Sequence, residues 1–210
     1  MNKAVIFDLD GVICSTDEYH YLAWKKLADR EGIYFDKIIN NRLRGVSRME
    51  SLNIVLERAS KEYSEEQKVE MATFKNDYYR ELLLQMSPKD LSDNVRTTLL
   101  TLKEKGIKIA IGSSSKNTKT ILTQIGILDW FDVIADGNDI KNSKPDPEVF
   151  LCAASRLGLD PTECIVVEDA LAGIDAAKAG NFYAVGIQDA TKYEKTDLPI
   201  SALSDLLKIF

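Results

Sequence analysis

The sequence predicts an α/β fold, a central five-stranded parallel sheet with an inserted all-helical cap, and three observations predict it. Five short apolar runs, at 4–7, 109–111, 133–135, 164–167 and 184–187, are separated by helical stretches. All five prolines and eight of the eleven glycines lie beyond residue 87, so the chain from about 15 to 86 is nearly free of helix breakers. The residues that end four of the five runs are polar, as expected where parallel strands deliver side chains to a ligand site.

Taken in order, the run Ala4-Val5-Ile6-Phe7 is apolar at every position, which fits a strand buried on both faces. Ser15-Thr16-Asp17-Glu18 has the pattern of a capping box, and Leu22, Ala23, Leu27 and Ala28 follow at helical spacing. A second helix pattern runs through Met49, Leu52, Val55, Leu56 and Ala59. A third starts from a Ser64 to Gln67 capping box and continues through Val69, Met71, Phe74, Tyr78 and Leu82. Further helices are predicted at about 93–105, 117–125, 147–157 and 170–179, each followed by a glycine, at 106, 126, 158 and 180. Asp146-Pro147 and Asp160-Pro161 fit an N-cap followed by proline in the first turn. Right-handed crossovers then give a core of residues 1–14 and 87–210 and a cap of residues 15–86.

Composition narrows the partners. The chain has 210 residues, 45% hydrophobic and 29% charged, so it can bury a full core without disulfide or metal staples. A net charge of −6 gives no electrostatic footprint for nucleic acid or an anionic membrane, so an anionic substrate must be held by a few local cations. Cys14, Cys152 and Cys164 are odd in number and widely spaced, which suggests neither a disulfide framework nor a zinc site. Asp8 and Asp10 interrupt the N-terminal apolar stretch, and no apolar run approaches the roughly 20 residues that span a bilayer. A cytoplasmic protein is expected, and, with no obvious exposed apolar helix face, a monomer.

The chemistry is expected at the carboxyl ends of the strands. There the sequence places Asp8-Leu9-Asp10-Gly11, Gly112-Ser113-Ser114-Ser115, Asp136 and Glu168-Asp169, with Lys144 in a Ser-Lys-Pro-Asp-Pro loop. Carboxylates, a hydroxyl and an ammonium together suit a hard divalent cation and a phosphoryl group. Asp8 and Asp10, two residues apart in an extended segment, point to the same side. Taken singly these residues have plainer readings: a strand-end Asp capping a turn, a surface Ser or Lys, an N-cap at Asp169. The Asp-x-Asp of a glycosyltransferase also fits Asp8 and Asp10 but does not account for Lys144 and Glu168-Asp169.

Asp8-Leu9-Asp10-Gly11-Val12, Ser113, Lys144 and Glu168-Asp169 resemble, in order and context, the four motifs of the haloacid dehalogenase superfamily of phosphotransferases. The helical insertion after the first motif is similar to one of its cap types. Glu18-Tyr19-His20, Trp24, Gly45-Val46-Ser47-Arg48, Lys75-Asn76 and Ser113-Ser114-Ser115-Lys116-Asn117 narrow the resemblance to the β-phosphoglucomutase family, over essentially the whole chain. There are small departures: Cys14 and Ser15 stand where relatives often carry Thr and Asp, Ser114 where they often carry Ala, and 139–142 is a variable stretch.

The resemblance implies a Rossmannoid core and the following roles. Asp8 is the nucleophile that becomes an aspartyl phosphate, and Asp10 the general acid and base. Mg²⁺ is held by Asp8, the Asp10 carbonyl, Asp169 and, through water, Glu168. Ser113 and Lys144 bind the transferring phosphoryl group. Arg48 is the main contact for the distal phosphate, with Ser115, Lys116 and Asn117, the last two opening a helix. Gly45, Val46, Ser47, Lys75, Asn76 and Ser114 complete the substrate contacts. His20 links cap closure to Asp10, Trp24 stands beside it, and Thr16 marks the hinge. Trp24 reads equally as cap core, and Lys75 nearly as well as a solvated helix face. The implied reaction interconverts β-D-glucose 1-phosphate and glucose 6-phosphate through bound β-D-glucose 1,6-bisphosphate. A sugar-phosphate phosphatase of the same fold is the alternative. A silent binding protein would have no use for Asp8, Asp10, Lys144 and Asp169 together.

Overall fold

The computed structural model describes residues 2–43 and 47–210. The chain divides into two compact units: Met1–Ser15 with Met86–Phe210, and Thr16–Gln85. Among the described residues no helix is long and apolar enough to cross a membrane.

The first unit is built on a parallel sheet with strand order β3-β2-β1-β4-β5-β6: β1 Ala4–Phe7, β2 Lys108–Gly112, β3 Val133–Ala135, β4 Cys164–Glu168, β5 Tyr183–Gly186 and β6 Leu198–Pro199. It has six strands rather than the expected five. The sixth is two residues long, ends in proline and pairs at the sheet's edge, so neither length nor apolar periodicity marks it in the sequence. The central strands are buried on both faces. Ala4, Ile6, Ala110 and Val166 pack with Val149, Phe150 and Ala153 of α7 (Glu148–Leu157) and Ile174 and Ala177 of α8 (Leu171–Ala179). Val5, Phe7, Ile109, Ile111 and Val167, which point the other way, are fully buried as well. The remaining helices of this unit are α5 (Asp93–Glu104), which packs against β2, and α6 (Thr118–Gln124). α7 begins one residue later than expected, with Pro147 at its N-cap, although Asp146 still accepts from the Glu148 amide at 2.9 Å. Asp160-Pro161 opens a single 3₁₀ turn. After α8 the left-handed residue is Asn181 at φ 64°, not Gly180.

The second unit is helical: α1 Asp17–Glu31, α2 Lys37–Asn41, α3 Arg48–Leu56 and α4 Glu65–Leu83. The Ser64–Gln67 capping box forms as expected. The one expected at Ser15–Glu18 does not: Thr16 is the N-cap, without a side-chain capping bond, and Glu18 instead pairs with Lys37 at 3.1 Å. Trp24, Leu27, Ala28, Phe35, Leu52, Val55, Met71 and Ala72 form its core.

Lys75, on α4, is only 3% exposed. Its ammonium lies 4.8 Å from the Trp24 ring centroid and 4.7 Å from that of Tyr79, and donates to Nδ1 of His20 at 2.9 Å. When Lys75 is charged its ammonium can only donate, and His20 then accepts through Nδ1 as a neutral imidazole. Burial, followed by the charge of Arg48, brings the Lys75 pKa down from 10.5 to about 7. Burial, then Lys75 and Arg48, hold His20 well below its ordinary 6.5. Both shifts act in one direction: the unfolded chain binds the extra proton, so stability rises with pH, below about 6.5 through His20 and between about 7 and 10.5 through Lys75.

Two stability measurements follow. Ser64→Ala should lower the unfolding free energy of the helical unit by about 1 kcal/mol in urea titration. Lys75→Met should flatten the rise in stability between pH 7 and 10 seen in the unaltered protein, by up to about 1.4 kcal/mol per pH unit. Equal slopes for the two proteins would show that Lys75 does not titrate in that window.

Candidate active site

β1 lies between β2 and β4, so the sheet order runs outward in both directions from its carboxyl end, the position where open α/β sheets bind ligands. Asp8 stands there: its amide bonds to the Val167 carbonyl at 3.0 Å, extending the ladder one residue past β1. The Lys144 ammonium is 2.6 Å from Asp8 Oδ1 and also bonds Glu168 Oε1, and all three side chains are nearly closed to solvent. Oε2 of Glu168 accepts the amides of Asp169 and Ala170, each at 3.1 Å. Glu168 thus satisfies the two amides that lead into α8, whose N-cap is Ala170, not Asp169, and carries no side-chain capping bond. Gly173 makes room for this, since a Cβ there would sit 1.9 Å from the Glu168 carboxyl carbon.

Oxygens of Asp8, Glu168 and Asp169 lie within 4.8 Å of one another. Burial, then the charges of Glu168, Asp8 and Asp10, raise Asp169 to about 8. Burial raises Glu168 to about 7 against the opposing pull of Lys144. Burial would lower Lys144, but Asp8 and Glu168 outweigh it and hold the ammonium charged. An all-oxygen set short of positive charge fits a hard divalent cation. Asp10 begins the turn that follows Asp8. Gly11, at φ 83°, donates its amide to the Cys14 carbonyl at 2.8 Å, and a Cβ on it would lie 2.1 Å from Asp169 Oδ2. Only glycine lets that turn lie against the acidic pair.

Ser113 follows β2, with its amide on the Ala135 carbonyl at 3.1 Å. Its hydroxyl accepts the Ser115 amide at 3.2 Å, which leaves its own proton to be donated. Ser115 in turn accepts the Asn117 amide at 3.2 Å, and α6 starts one residue beyond Asn117. The hydroxyl of Ser114 is buried without a partner among the described residues. The loop after β3 supports this turn: Gly137 donates to the Ser115 carbonyl at 3.1 Å and Asn138 to that of Lys116 at 3.1 Å, while buried Asp136 holds Asn138. A Cβ on Gly137 would meet the Ser114 carbonyl at 2.3 Å. Glu148 accepts the amides of Lys141 and Asn142, at 3.0 and 2.8 Å, and so fixes the approach to Lys144. The sequence reading missed Asn138, Gly137 and Glu148. The one signal for Glu148 is an acidic residue in the first turn of a helix that follows the lysine loop.

In the helical unit, α1, α3 and α4 bring a second set together. His20 and Trp24 surround the Lys75 ammonium, and His20 stacks on Tyr79 with centroids 4.1 Å apart. Arg48, exposed in the first turn of α3, donates to Asn76 Oδ1 at 2.9 Å. Ser47 caps α3 by accepting the Glu50 amide at 3.2 Å. Lys75 is thus a buried group rather than a solvated helix face, and Trp24 is core and a neighbour of this set at once. Thr16 is buried and opens the unit, its carbonyl accepting the His20 amide at 2.9 Å. Gly45 and Val46 lie outside the described residues.

The family model for haloacid dehalogenase-like hydrolases matches residues 2–181. The β-phosphoglucomutase of Bacillus subtilis is 43% identical over 97% of this chain and 91% of its own. A phosphorylated carbohydrates phosphatase of Thermotoga maritima is 32% identical over 84% and 81%. The crystal structure of a β-phosphoglucomutase from Clostridium difficile matches with a TM-score of 0.87 and 44% identity, covering 98% of this chain and 93% of that one. With Asp8, its lysine partner and an acidic pair assembled at the carboxyl ends of neighbouring strands β1 and β4, and with these likenesses running almost end to end, the chain belongs to the haloacid dehalogenase-like hydrolase family.

Proposed function

We infer that the protein is a β-phosphoglucomutase, interconverting β-D-glucose 1-phosphate and D-glucose 6-phosphate. The observation that carries this reading is that the likeness to two such enzymes, at 43% and 44% identity, spans 97% and 98% of the chain and so takes in the inserted helices as well as the sheet. Asp8, already phosphorylated, passes its phosphoryl group to the 6-hydroxyl of the substrate while Asp10 takes that hydroxyl's proton. The product is β-D-glucose 1,6-bisphosphate, which must turn end for end. Asp8 then attacks the phosphorus at C1, the bond to the C1 oxygen breaks, and Asp10 returns the proton to that oxygen. Ser113 and Lys144 donate to the transferring group. Lys144, 2.6 Å from an Asp8 oxygen, is within reach of anything that oxygen carries. Asp8, Asp169, the Asp10 carbonyl and Glu168 would hold Mg²⁺, which would offset charge on the phosphoryl oxygens.

A mutase needs a second anion site for the phosphate that is not being transferred. In the helical unit that role is assigned to Arg48, which donates to Asn76, with Ser47, Lys75 and His20 as further substrate contacts; in the sheet unit, Ser114, Ser115, Lys116 and Asn117 are assigned substrate contacts of their own. Enclosure of the site would keep water from the aspartyl phosphate. The enzyme is read as a cytoplasmic monomer acting on small sugar phosphates, not on nucleic acid or membranes. The Thermotoga phosphatase, 32% identical, favours one other reading, in which water accepts the phosphoryl group.

The deciding assay supplies Mg²⁺, β-D-glucose 1-phosphate and a trace of the 1,6-bisphosphate, with the α-anomer as control. Glucose 6-phosphate should form from the β-anomer alone with little free phosphate, whereas dominant phosphate release would establish the phosphatase. Arg48→Ala should lower kcat/KM by roughly 100-fold, the loss of a charge-assisted contact to phosphate. A change of only severalfold would remove Arg48 from the distal phosphate site.

A further inference from the structure

Gln188 belongs to no motif, yet its backbone has a positive φ of 55°. The one other non-glycine residue in that region among those described is Asn181, a type that adopts it readily. Such a conformation persists where the surroundings over-determine it. Here they do: the Ile187 amide bonds the Glu168 carbonyl at 2.8 Å and the Ala190 amide bonds that of Asp169 at 3.0 Å, tying the chain to the acidic pair on both sides of Gln188. From this fixed base the exposed Gln188 side chain reaches the turn after β1, where its Nε2 donates to the Gly11 carbonyl. Gly11 is then held at three points: its amide by Cys14, its α-carbon against Asp169, and its carbonyl by Gln188. A glycine at 188 would adopt the same backbone freely, so the side chain, not the conformation, accounts for glutamine here.

We propose that Gln188 is a positioning residue for Asp10: by holding the carbonyl of the Gly11–Val12 peptide, while Cys14 holds the Gly11 amide, it fixes Gly11 and with it the turn that Asp10 begins, and so the place from which Asp10 exchanges its proton. The inference rests on the role given to Asp10 above. It also links the loop after β5, which no motif covers, to the acid–base step.

Four variants test it, with kcat and KM for β-D-glucose 1-phosphate and the melting temperature measured on each. Gln188→Met keeps the length but not the donor and should lower kcat about tenfold while KM stays within about twofold. Gln188→Lys, which keeps a donor at similar reach, should recover most of that loss. Gln188→Gly should lose as much kcat as the Met variant yet melt no lower than the unaltered protein, because glycine accepts the positive φ. In an Asp10→Asn background, Gln188→Met should add little further loss, the non-additivity expected of residues that act as one. An unchanged kcat in Gln188→Met would overturn the proposal, as would an undiminished loss in the Asp10→Asn background or a kcat loss in Gln188→Gly accompanied by a lower melting temperature. Failure of the mutase reading is separate. If the unaltered protein only releases phosphate, the same variants are scored on phosphate release, where Asp10 serves the leaving oxygen in the same way.

Discussion

The structure depends on one electrostatic constraint, the crowding of carboxylates at the end of β1 and β4. Asp8, Glu168 and Asp169 approach within 4.8 Å of one another in a setting largely closed to water. Charges so placed cannot all persist without compensation, because both desolvation and like-charge repulsion favour the neutral forms. Lys144 is the compensation the chain itself provides, shared between Asp8 and Glu168. The remaining deficit, which pushes the pKa of Glu168 and Asp169 up, makes the site receptive to a cation, and in the reaction proposed above that cation would offset charge on the phosphoryl group.

Much around this constraint serves to hold it. Glycines at 11 and 173 clear space for the Asp169 and Glu168 carboxylates, the amides of Asp169 and Ala170 satisfy the free oxygen of Glu168, and Glu148 fixes the loop that delivers Lys144. The sheet supplies the base: Ala4–Phe7 pairs in parallel with Cys164–Val167, a register that puts Asp8 level with Glu168, and both strands are fully buried.

The sheet, its helices and the first-rank polar residues were legible because each is written locally. Apolar runs mark 4–7, 109–111 and 164–167; Asp8 and Glu168-Asp169 follow their runs directly, and Ser113 follows its run after Gly112. The sixth strand was not legible, since two residues ending in proline carry no period. Nor was the start of α1, where Ser15-Thr16-Asp17-Glu18 has the letters of a capping box but Glu18 is drawn to Lys37, nineteen positions away. Asn138, Glu148 and Gln188 act through contacts with loops distant in sequence or through amides that any residue could have offered. Lys75 shows the same limit in reverse: taken alone it reads nearly as well as a solvated helix face as a substrate contact, and only the folded neighbours Trp24, Tyr79 and His20 show that it is enclosed.

The residues that break local rules are not scattered. A buried ammonium at Lys75, a buried hydroxyl at Ser114 without a partner among the described residues, a glutamine with positive φ at 188 and adjacent carboxylates at 168, buried, and 169, half-buried, each oppose stability, by burial without full compensation or by backbone strain. Each also falls within, or in contact with, a segment that the family resemblance or the geometry assigns to the site. A sequence selected for stability alone would place methionine at 75, alanine at 114 and glycine at 188, and every one of those replacements keeps the fold's apolar pattern intact. The concentration of such costs around the two polar clusters, against a core of otherwise ordinary packing, is itself an argument that both clusters act on a ligand, because nothing in the folding of either unit requires them.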